Sequence, residues 1–177
     1  MPAPRLTPPV DLERDHWRGS GDGVRTLLEF GDYECPYSRM AYHNVQLVEH
    51  MLEGGLRFVF RQLPLTDIHP HALAAAGFAE AAARQGRFWQ LHDLLFGHQK
   101  ALEVDDLRAY AAEAGLDEPQ LMRDLEDRGG LWRRVQDDVQ SARASGAQGT
   151  PTLFVDGVLH EGGYDADVLL RALSGAG

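Results

Sequence analysis

Stretches of apolar and polar positions divide the first part of the chain into two strand-like segments with a helix-like segment between them. The segment VRTLLEFGDY, which begins at Val24, is β-branched and apolar enough for a buried strand. Residues 36–53 place their apolar side chains mainly at helical spacing, which predicts a helix. Residues 56–64, LRFVFRQLP, alternate apolar and arginine positions, which favours a second strand. Because a helix separates the two strands, we expect them to be parallel in a βαβ unit.

The chain continues with helices before strands return. Residues 70 to about 128 contain four short helix-like segments without a strand-like one, and the helical segment GLWRRVQDDVQSARASG follows them. The segment TPTLFVDGVLHEGGYDADVLLRAL predicts a strand, an Asp-Gly turn, a second strand and a final helix. The pattern predicts an α/β fold with a mixed sheet, built from βαβ and ββα units. Residues 23–66 and 148–177 form this sheet domain, and an all-helical insertion occupies residues 67–147.

Residues 1–22 differ from the rest of the chain in their proline content. They contain four prolines and the segment RGSGD, which keep this part of the chain out of a helix. We expect an extended N-terminal arm that is loosely attached and ends in a loop.

Composition and charge exclude several classes of partner. The formal net charge is -10 and the sequence pI is about 5.1, so nucleic acid and anionic membrane surfaces would repel the protein. No window approaches the roughly 18 apolar residues that a membrane-spanning helix needs. The opening MPAPRLTPPVDLERD also lacks the apolar core of a secretory signal. We therefore expect a cytoplasmic protein without membrane insertion.

The single cysteine is the main candidate for chemistry. Because Cys35 is the only cysteine of the chain, an intramolecular disulfide is excluded. Pro36 follows it and suits the first turn of a helix. Unpaired N–H groups and the helix dipole would stabilise its thiolate. Ser38, one turn on, could donate a hydrogen bond to the sulfur, whereas Asp32 and Glu34 would oppose ionisation unless they face water, as we expect. The alternative is a buried, inert cysteine, which is the commonest fate of a lone one.

Two further features carry little information alone. Thr150 and Pro151 precede the predicted strand at residues 153–155, and the general preference of X-Pro bonds favours a trans peptide there. His69 and His71 could bind a metal, but further ligands in a recognised pattern are missing. We favour a helix start at these histidines and predict no metal site.

Four separated motifs together resemble a known family. FGDYECPYSRMAY, RFVFRQLPL, HPHALAAAGFAEAAARQGRFWQLHDLLF and GTPTLFVDG occur in the order and spacing of the DsbA-like branch of thioredoxin-fold thiol oxidoreductases. They are especially similar to its stand-alone bacterial members and to domains fused to some sodium/proton antiporters. The resemblance covers roughly residues 8–174, and it implies a thioredoxin fold with a helical insertion.

The resemblance also implies roles for the CPYS motif. Cys35 matches the nucleophilic cysteine, and Pro36 and Tyr37 match the variable dipeptide that tunes its redox potential. Ser38 stands where the family has its resolving cysteine. A serine oxygen can neither release a substrate from a mixed disulfide nor store oxidising equivalents with Cys35. This departure predicts a monothiol enzyme.

A second site implied by the resemblance is the loop that contacts the substrate. Thr150 and Pro151 match the family's cis-proline loop, which packs against the active site and presents backbone hydrogen bonds to an extended substrate. The substrates implied are protein or small-molecule disulfides.

The leading hypothesis is a thiol-disulfide oxidoreductase that reduces or isomerises mixed disulfides, or removes glutathione from them. Cys35 would form a covalent intermediate that glutathione or another low-molecular-weight thiol resolves, without a tightly bound cofactor. One alternative is a kappa-class-like glutathione transferase in which Ser38 meets the bound thiol. Another is a redox-inactive peptide-binding or chaperone-like module. A dithiol enzyme whose second cysteine was deliberately changed to Ser38 would have the same sequence.

Overall fold

The computed structural model describes residues 3–21, 24–127 and 129–175. Within these ranges a sheet has the strand order β1-β3-β2-β4-β5. The strands are β1 His16–Gly19, β2 Arg25–Gly31, β3 Leu56–Gln62, β4 Thr152–Val155 and β5 Val158–Leu159. The pair β2 and β3 is parallel, and the pairs β1 with β3, β2 with β4 and β4 with β5 are antiparallel. The predicted mixed sheet and its parallel βαβ unit are therefore confirmed.

The helices follow the predicted order. They are α1 Pro36–Met51, α2 Ala72–Arg84, α3 Phe88–Gly97, α4 Val104–Glu113, α5 Glu118–Glu126, α6 Leu131–Ala144 and α7 Ala166–Leu173. The four short helices predicted from residue 70 onward are α2 to α5, and α6 leads back to the sheet. No helix of the described residues is long and apolar enough to cross a membrane.

The division of the chain into an arm, a sheet domain and an insertion stays a prediction. Parts of all three lie outside the described residues: 1, 2, 22, 23, 128, 176 and 177.

The expectation of a loosely attached N-terminal arm was wrong. Strand β1 pairs antiparallel with β3, which places Trp17 opposite Val59. Leu6 is buried. The guanidinium of Arg61 donates two hydrogen bonds to Asp15, of 2.9 and 2.7 Å, and both side chains are fully buried. A buried ion pair of this kind excludes a detached arm, because either charge would be unpaired without the other.

Apolar side chains pack on both faces of the sheet. Along β2, Leu27 belongs to one cluster of buried residues and Leu28 and Phe30 to the other, as expected when successive side chains point to opposite faces. The first cluster includes residues of α1, α2, α3 and α7, and the second includes Ala142 of α6. Strand β2 therefore lies in the centre of the protein, and its carboxyl end leads directly to Cys35.

Candidate functional site

Cys35 forms the N-terminal cap of α1, just after the turn that follows β2. Its N–H donates to the carbonyl oxygen of Asp32 at 3.1 Å, which closes this turn. Pro36 occupies the first helical turn, where its missing N–H costs no hydrogen bond. The side chain of Tyr37 is 59 % exposed, whereas Cys35 is only 3 % exposed. The predicted position of the cysteine at a helix start is confirmed.

The loop before β4 lies against the cysteine. Cys35 Sγ donates a hydrogen bond to the carbonyl oxygen of Thr150 at 3.4 Å. The peptide between Thr150 and Pro151 is cis, as the family resemblance implies and contrary to the general preference for trans. The hydroxyl of Thr150 is buried and has no hydrogen-bond partner among the described residues. The structure therefore brings the two predicted parts of the site together.

A cavity of about 420 Å³ continues from this loop. Its lining includes Pro151, His160 and Tyr164. Burial, followed by the charges of Tyr37 and Cys35, raises the pKa of Tyr164. Because Pro151 follows Thr150, whose carbonyl oxygen contacts Cys35 Sγ, the cavity adjoins the loop that lies against the reactive group.

Ser38 is completely buried and is part of the loop that carries the cysteine. Its Oγ accepts a hydrogen bond of 3.2 Å from the N–H of Asp32. In the part of the chain that the structure describes, no hydrogen bond joins Ser38 to Cys35 Sγ. The expected donation to the sulfur is therefore wrong: the Cys35 thiol bonds to the Thr150 carbonyl oxygen, and the Ser38 oxygen accepts from the backbone of the loop.

The expectation that the two carboxylates beside Cys35 face water was wrong, because both are bonded within the protein. Asp32 is 1 % exposed and accepts hydrogen bonds from the N–H groups of Glu34 and Leu65, each at 2.8 Å. Its Oδ2 also lies 2.8 Å from Nδ1 of His69. Glu34 accepts from the N–H of His71 at 2.7 Å, and its other oxygen lies 2.7 Å from the imidazole. The histidines of the HPH motif thus cover both carboxylates.

His71 connects the active-site loop to two helices. It caps the N-terminus of α2, which confirms the predicted helix start. Its Nε2 lies 3.0 Å from Oε1 of Glu103, the cap of α4. The hydrogen bonds to Glu34 and then Glu103 raise the pKa of His71. Among the described residues, no group of three or more His, Cys, Asp or Glu side chains is arranged to hold a metal ion.

Two more side chains of the helical segment hold the active-site loop, and the sequence analysis missed both. The side-chain amide of Gln99 donates to the carbonyl oxygens of Tyr33 and Cys35, each at 2.8 Å. The hydroxyl of Tyr33 lies 3.0 Å from Nδ1 of His92, and both side chains are buried. With the histidines of the HPH motif, the segment between β3 and β4 contacts every residue from 32 to 35.

Glu29 is a third residue that the sequence analysis missed. It lies on β2 six residues before Cys35, is 1 % exposed, and its Oε1 has no hydrogen-bond partner within the described ranges. Burial raises the pKa of Glu29 to about 8, although the charge of Arg18 opposes this shift. The carboxyl is therefore protonated at neutral pH. The available signal was one acidic residue within an otherwise apolar strand segment, LLEF.

Comparison with protein families and curated relatives gives a consistent result. The family described as Thioredoxin matches residues 11–174. The Na(+)/H(+) antiporter NhaA 3 of Salinispora tropica is 45 % identical over 173 residues, which are 97 % of this chain and 26 % of the relative. NhaA 1 of Mycolicibacterium gilvum is 43 % identical over 170 residues, 96 % of this chain and 28 % of the relative. The chain spans about a quarter of the length of these relatives.

Solved structures show the same fold. A thioredoxin-like oxidoreductase from Silicibacter pomeroyi is 30 % identical, with a TM-score of 0.81 and 92 % of each chain covered. BdbD from Bacillus subtilis, in its oxidised form, is 19 % identical, with a TM-score of 0.80 over 98 % of this chain and 96 % of that one. The thiol-disulfide exchange protein alpha-DsbA2 from Wolbachia pipientis is also 19 % identical, with a TM-score of 0.81 over 94 % and 89 %. The thioredoxin fold implied by the sequence motifs is confirmed.

Proposed function

This chain belongs to the thioredoxin family, and we propose that it is a DsbA-like thiol-disulfide oxidoreductase that works through one sulfur. The observation that carries this proposal is the position of Cys35, at the start of α1 and 3.4 Å from the carbonyl oxygen of Thr150, with Ser38 in place of a second cysteine. The substrates are protein or small-molecule disulfides, as the family resemblance implies.

The reaction consists of two exchanges. The Cys35 thiolate attacks one sulfur of a disulfide, forms a mixed disulfide with it, and expels the other half as a thiolate. A second thiolate then attacks the mixed disulfide on the substrate's sulfur, forms a new disulfide there, and returns the electron pair to Cys35. Ser38 takes no part in the exchange, since its buried hydroxyl binds the N–H of Asp32. Each cycle transfers a disulfide without net gain or loss of electrons by the protein.

Glutathione or another low-molecular-weight thiol is the proposed resolving partner. The chain holds no second cysteine, so resolution depends on a thiol supplied from outside. A cytoplasmic location fits this requirement, because the cytosol maintains reduced glutathione, and we retain it as a proposal. The transferase alternative has less support, because Ser38 is completely buried and its Oγ binds the N–H of Asp32, so it is not open to the thiol of a bound glutathione.

The test is the reduction of a glutathionylated peptide by excess glutathione, with the Cys35 adduct followed by mass spectrometry. Wild-type protein should form a one-to-one mixed disulfide and turn over, and Cys35→Ser should do neither. Ser38→Cys should gain the ability to oxidise dithiols, while Ser38→Ala serves as its control. Turnover that persists in Cys35→Ser, or slow alkylation of Cys35 that rises only near pH 8.5 as for an ordinary thiol, would refute the monothiol mechanism.

A further inference from the structure

A second cavity, of about 340 Å³, lies where α1 meets the loop after α3. The residues that line it, here called the basic pocket, are Arg39, Gly97, His98, Gln99, Lys100 and Ala101. None of them is acidic, although the chain contains 27 acidic and 17 basic residues. The basic pocket therefore opposes the charge of the protein as a whole.

The positive charges of the basic pocket are available to a ligand. Arg39 Nε donates to the carbonyl oxygen of Phe96 at 3.1 Å, which anchors the guanidinium beside the loop. Lys100 is the single lysine of the chain. Across residues 3–21, 24–127 and 129–175, no carboxylate forms an ion pair with either Arg39 or Lys100. An anion can thus approach them without displacing a carboxylate of the described residues.

The basic pocket begins one helical turn from the nucleophile. Arg39 follows Cys35 by four residues, and its N–H donates to the Cys35 carbonyl oxygen at 3.1 Å. Its Cα therefore lies about 6 Å further along the helix axis, on the same side of the helix. Gln99 lines the basic pocket and donates to the same carbonyl oxygen at 2.8 Å. A thiol that attacks the mixed disulfide at Cys35 therefore needs to extend only a short way to reach these charges.

Anionic thiols need a positively charged binding site to approach Cys35 in this acidic protein. The net charge of -10 repels them, and Asp32 and Glu34 lie within three residues of Cys35. In glutathione each carboxylate belongs to a residue directly joined to the cysteine, and an extended residue spans about 3.5 Å. An arginine side chain that starts one helical turn from Cys35 can extend toward a carboxylate held this close to the sulfur, and its fork binds a carboxylate through two hydrogen bonds. The phosphates of a thiol such as coenzyme A lie much further from its sulfur.

We propose that Arg39 and Lys100 bind a carboxylate of the small thiol that resolves the Cys35 mixed disulfide. The proposal rests on the monothiol mechanism above and names its co-substrate class: compact thiols with a carboxylate close to the sulfur, such as glutathione. Binding brings the thiol to the disulfide and offsets its repulsion by the acidic protein. The basic pocket thus selects which thiol completes the reaction.

The experiment starts from Cys35 converted to its mixed disulfide with 2-mercaptoethanol, which is uncharged. Stopped-flow mixing then gives second-order rate constants for resolution by glutathione, by coenzyme A and by free 2-mercaptoethanol. The measured quantity is the ratio of the glutathione constant to the 2-mercaptoethanol constant. We expect this ratio to fall about tenfold in Arg39→Gln and in Lys100→Gln, and to recover in part in Arg39→Lys, which keeps the charge but not the fork. Arg133→Gln, an exposed arginine of α6 outside the basic pocket, is the matched control for net charge.

Each outcome is decisive. If the glutathione ratio stays within twofold of the wild-type value in both Arg39→Gln and Lys100→Gln, the proposed role of the basic pocket is refuted. An equal fall of this ratio in Arg133→Gln also refutes it. A fall confined to the coenzyme A ratio overturns the assignment of a carboxylate in favour of a phosphate. Failure of every thiol to resolve the wild-type mixed disulfide would instead contradict the monothiol mechanism itself. Lys100 is exposed, so Lys100→Gln is expected to fold. It keeps the test valid if Arg39→Gln fails to fold.

Discussion

Glu29 makes the stability of this protein depend on pH in a direction opposite to that of most carboxylates. Its pKa is about 8 in the folded protein, compared with 4.5 for an ordinary glutamate. An acid whose pKa is raised on folding contributes fully to stability below pH 4.5, and this contribution is lost as the pH rises through about 8. Multiplying the difference between 4.5 and about 8 by about 1.36 kcal/mol per pH unit gives a loss of about 5 kcal/mol.

The test compares wild type with Glu29→Gln, which is neutral at every pH and has nearly the same shape. Urea unfolding of both proteins at pH 5, 7 and 9 gives the difference in unfolding free energy at each pH. The contributions of all other groups cancel in this difference. We expect Glu29→Gln to gain about 4 kcal/mol relative to wild type between pH 5 and pH 9, with most of the gain by pH 8.

Glu126→Gln, an exposed position at the end of α5, controls for the loss of one carboxylate. Its difference from wild type should change by less than about 1 kcal/mol over the same range, as is usual for surface positions. A flat difference for Glu29→Gln would refute the reasoning, because it would mean that Glu29 releases its proton at the same pH in the folded and unfolded chains.

Three further predictions concern the loop that carries the cysteine. Gln99→Met removes two hydrogen bonds to backbone carbonyls, so it should slow alkylation of Cys35 about tenfold at a pH where the thiolate is fully formed. The control Gln85→Met loses a similar contact far from the sulfur and should leave the alkylation rate unchanged. Asp32→Asn should lower the unfolding free energy by about 2 kcal/mol in urea titrations at pH 7, and an unchanged midpoint would contradict the proposed anchoring. His71 has a raised pKa, so the stability that it adds is complete below pH 6.5 and is lost as the pH rises through its folded pKa. The advantage of wild type over His71→Gln should therefore shrink above pH 6.5 in thermal melts, and an advantage constant with pH would refute this.

The sequence predicts the elements whose signals are local. The apolar run of β2, the proline at the start of α1 and the alternation of β3 all appear within short windows, and each element is found where expected. Strand β1 has only four residues and becomes a strand by pairing with the edge of β3, so its own residues carry little signal. The contact of Asp32 with His69 joins positions 37 residues apart, and no periodicity in a single sequence reveals such a pair.

The residues of the candidate site likewise divide into those with a local sequence signal and those without one. The cysteine at a helix start and the Thr150-Pro151 loop were identified from short motifs, the second through family resemblance. Gln99 was missed because an amide in a polar loop resembles any solvated residue until its partners are known. The burial of Glu29 depends on which face of β2 the covering helices occupy. Such roles depend on tertiary packing and not on residue type.

The contacts between the helical segment and residues 32–35 limit how this protein can change over time. Residues 32–38 transferred into another thioredoxin-like scaffold would arrive without the histidines and the glutamine that bind their carboxylates and carbonyls. Position 32 is therefore expected to vary together with 69, and position 34 with 71, among homologous chains. We therefore expect the reactive loop and the covering helices to be inherited together, although 37 residues separate the partners in the chain.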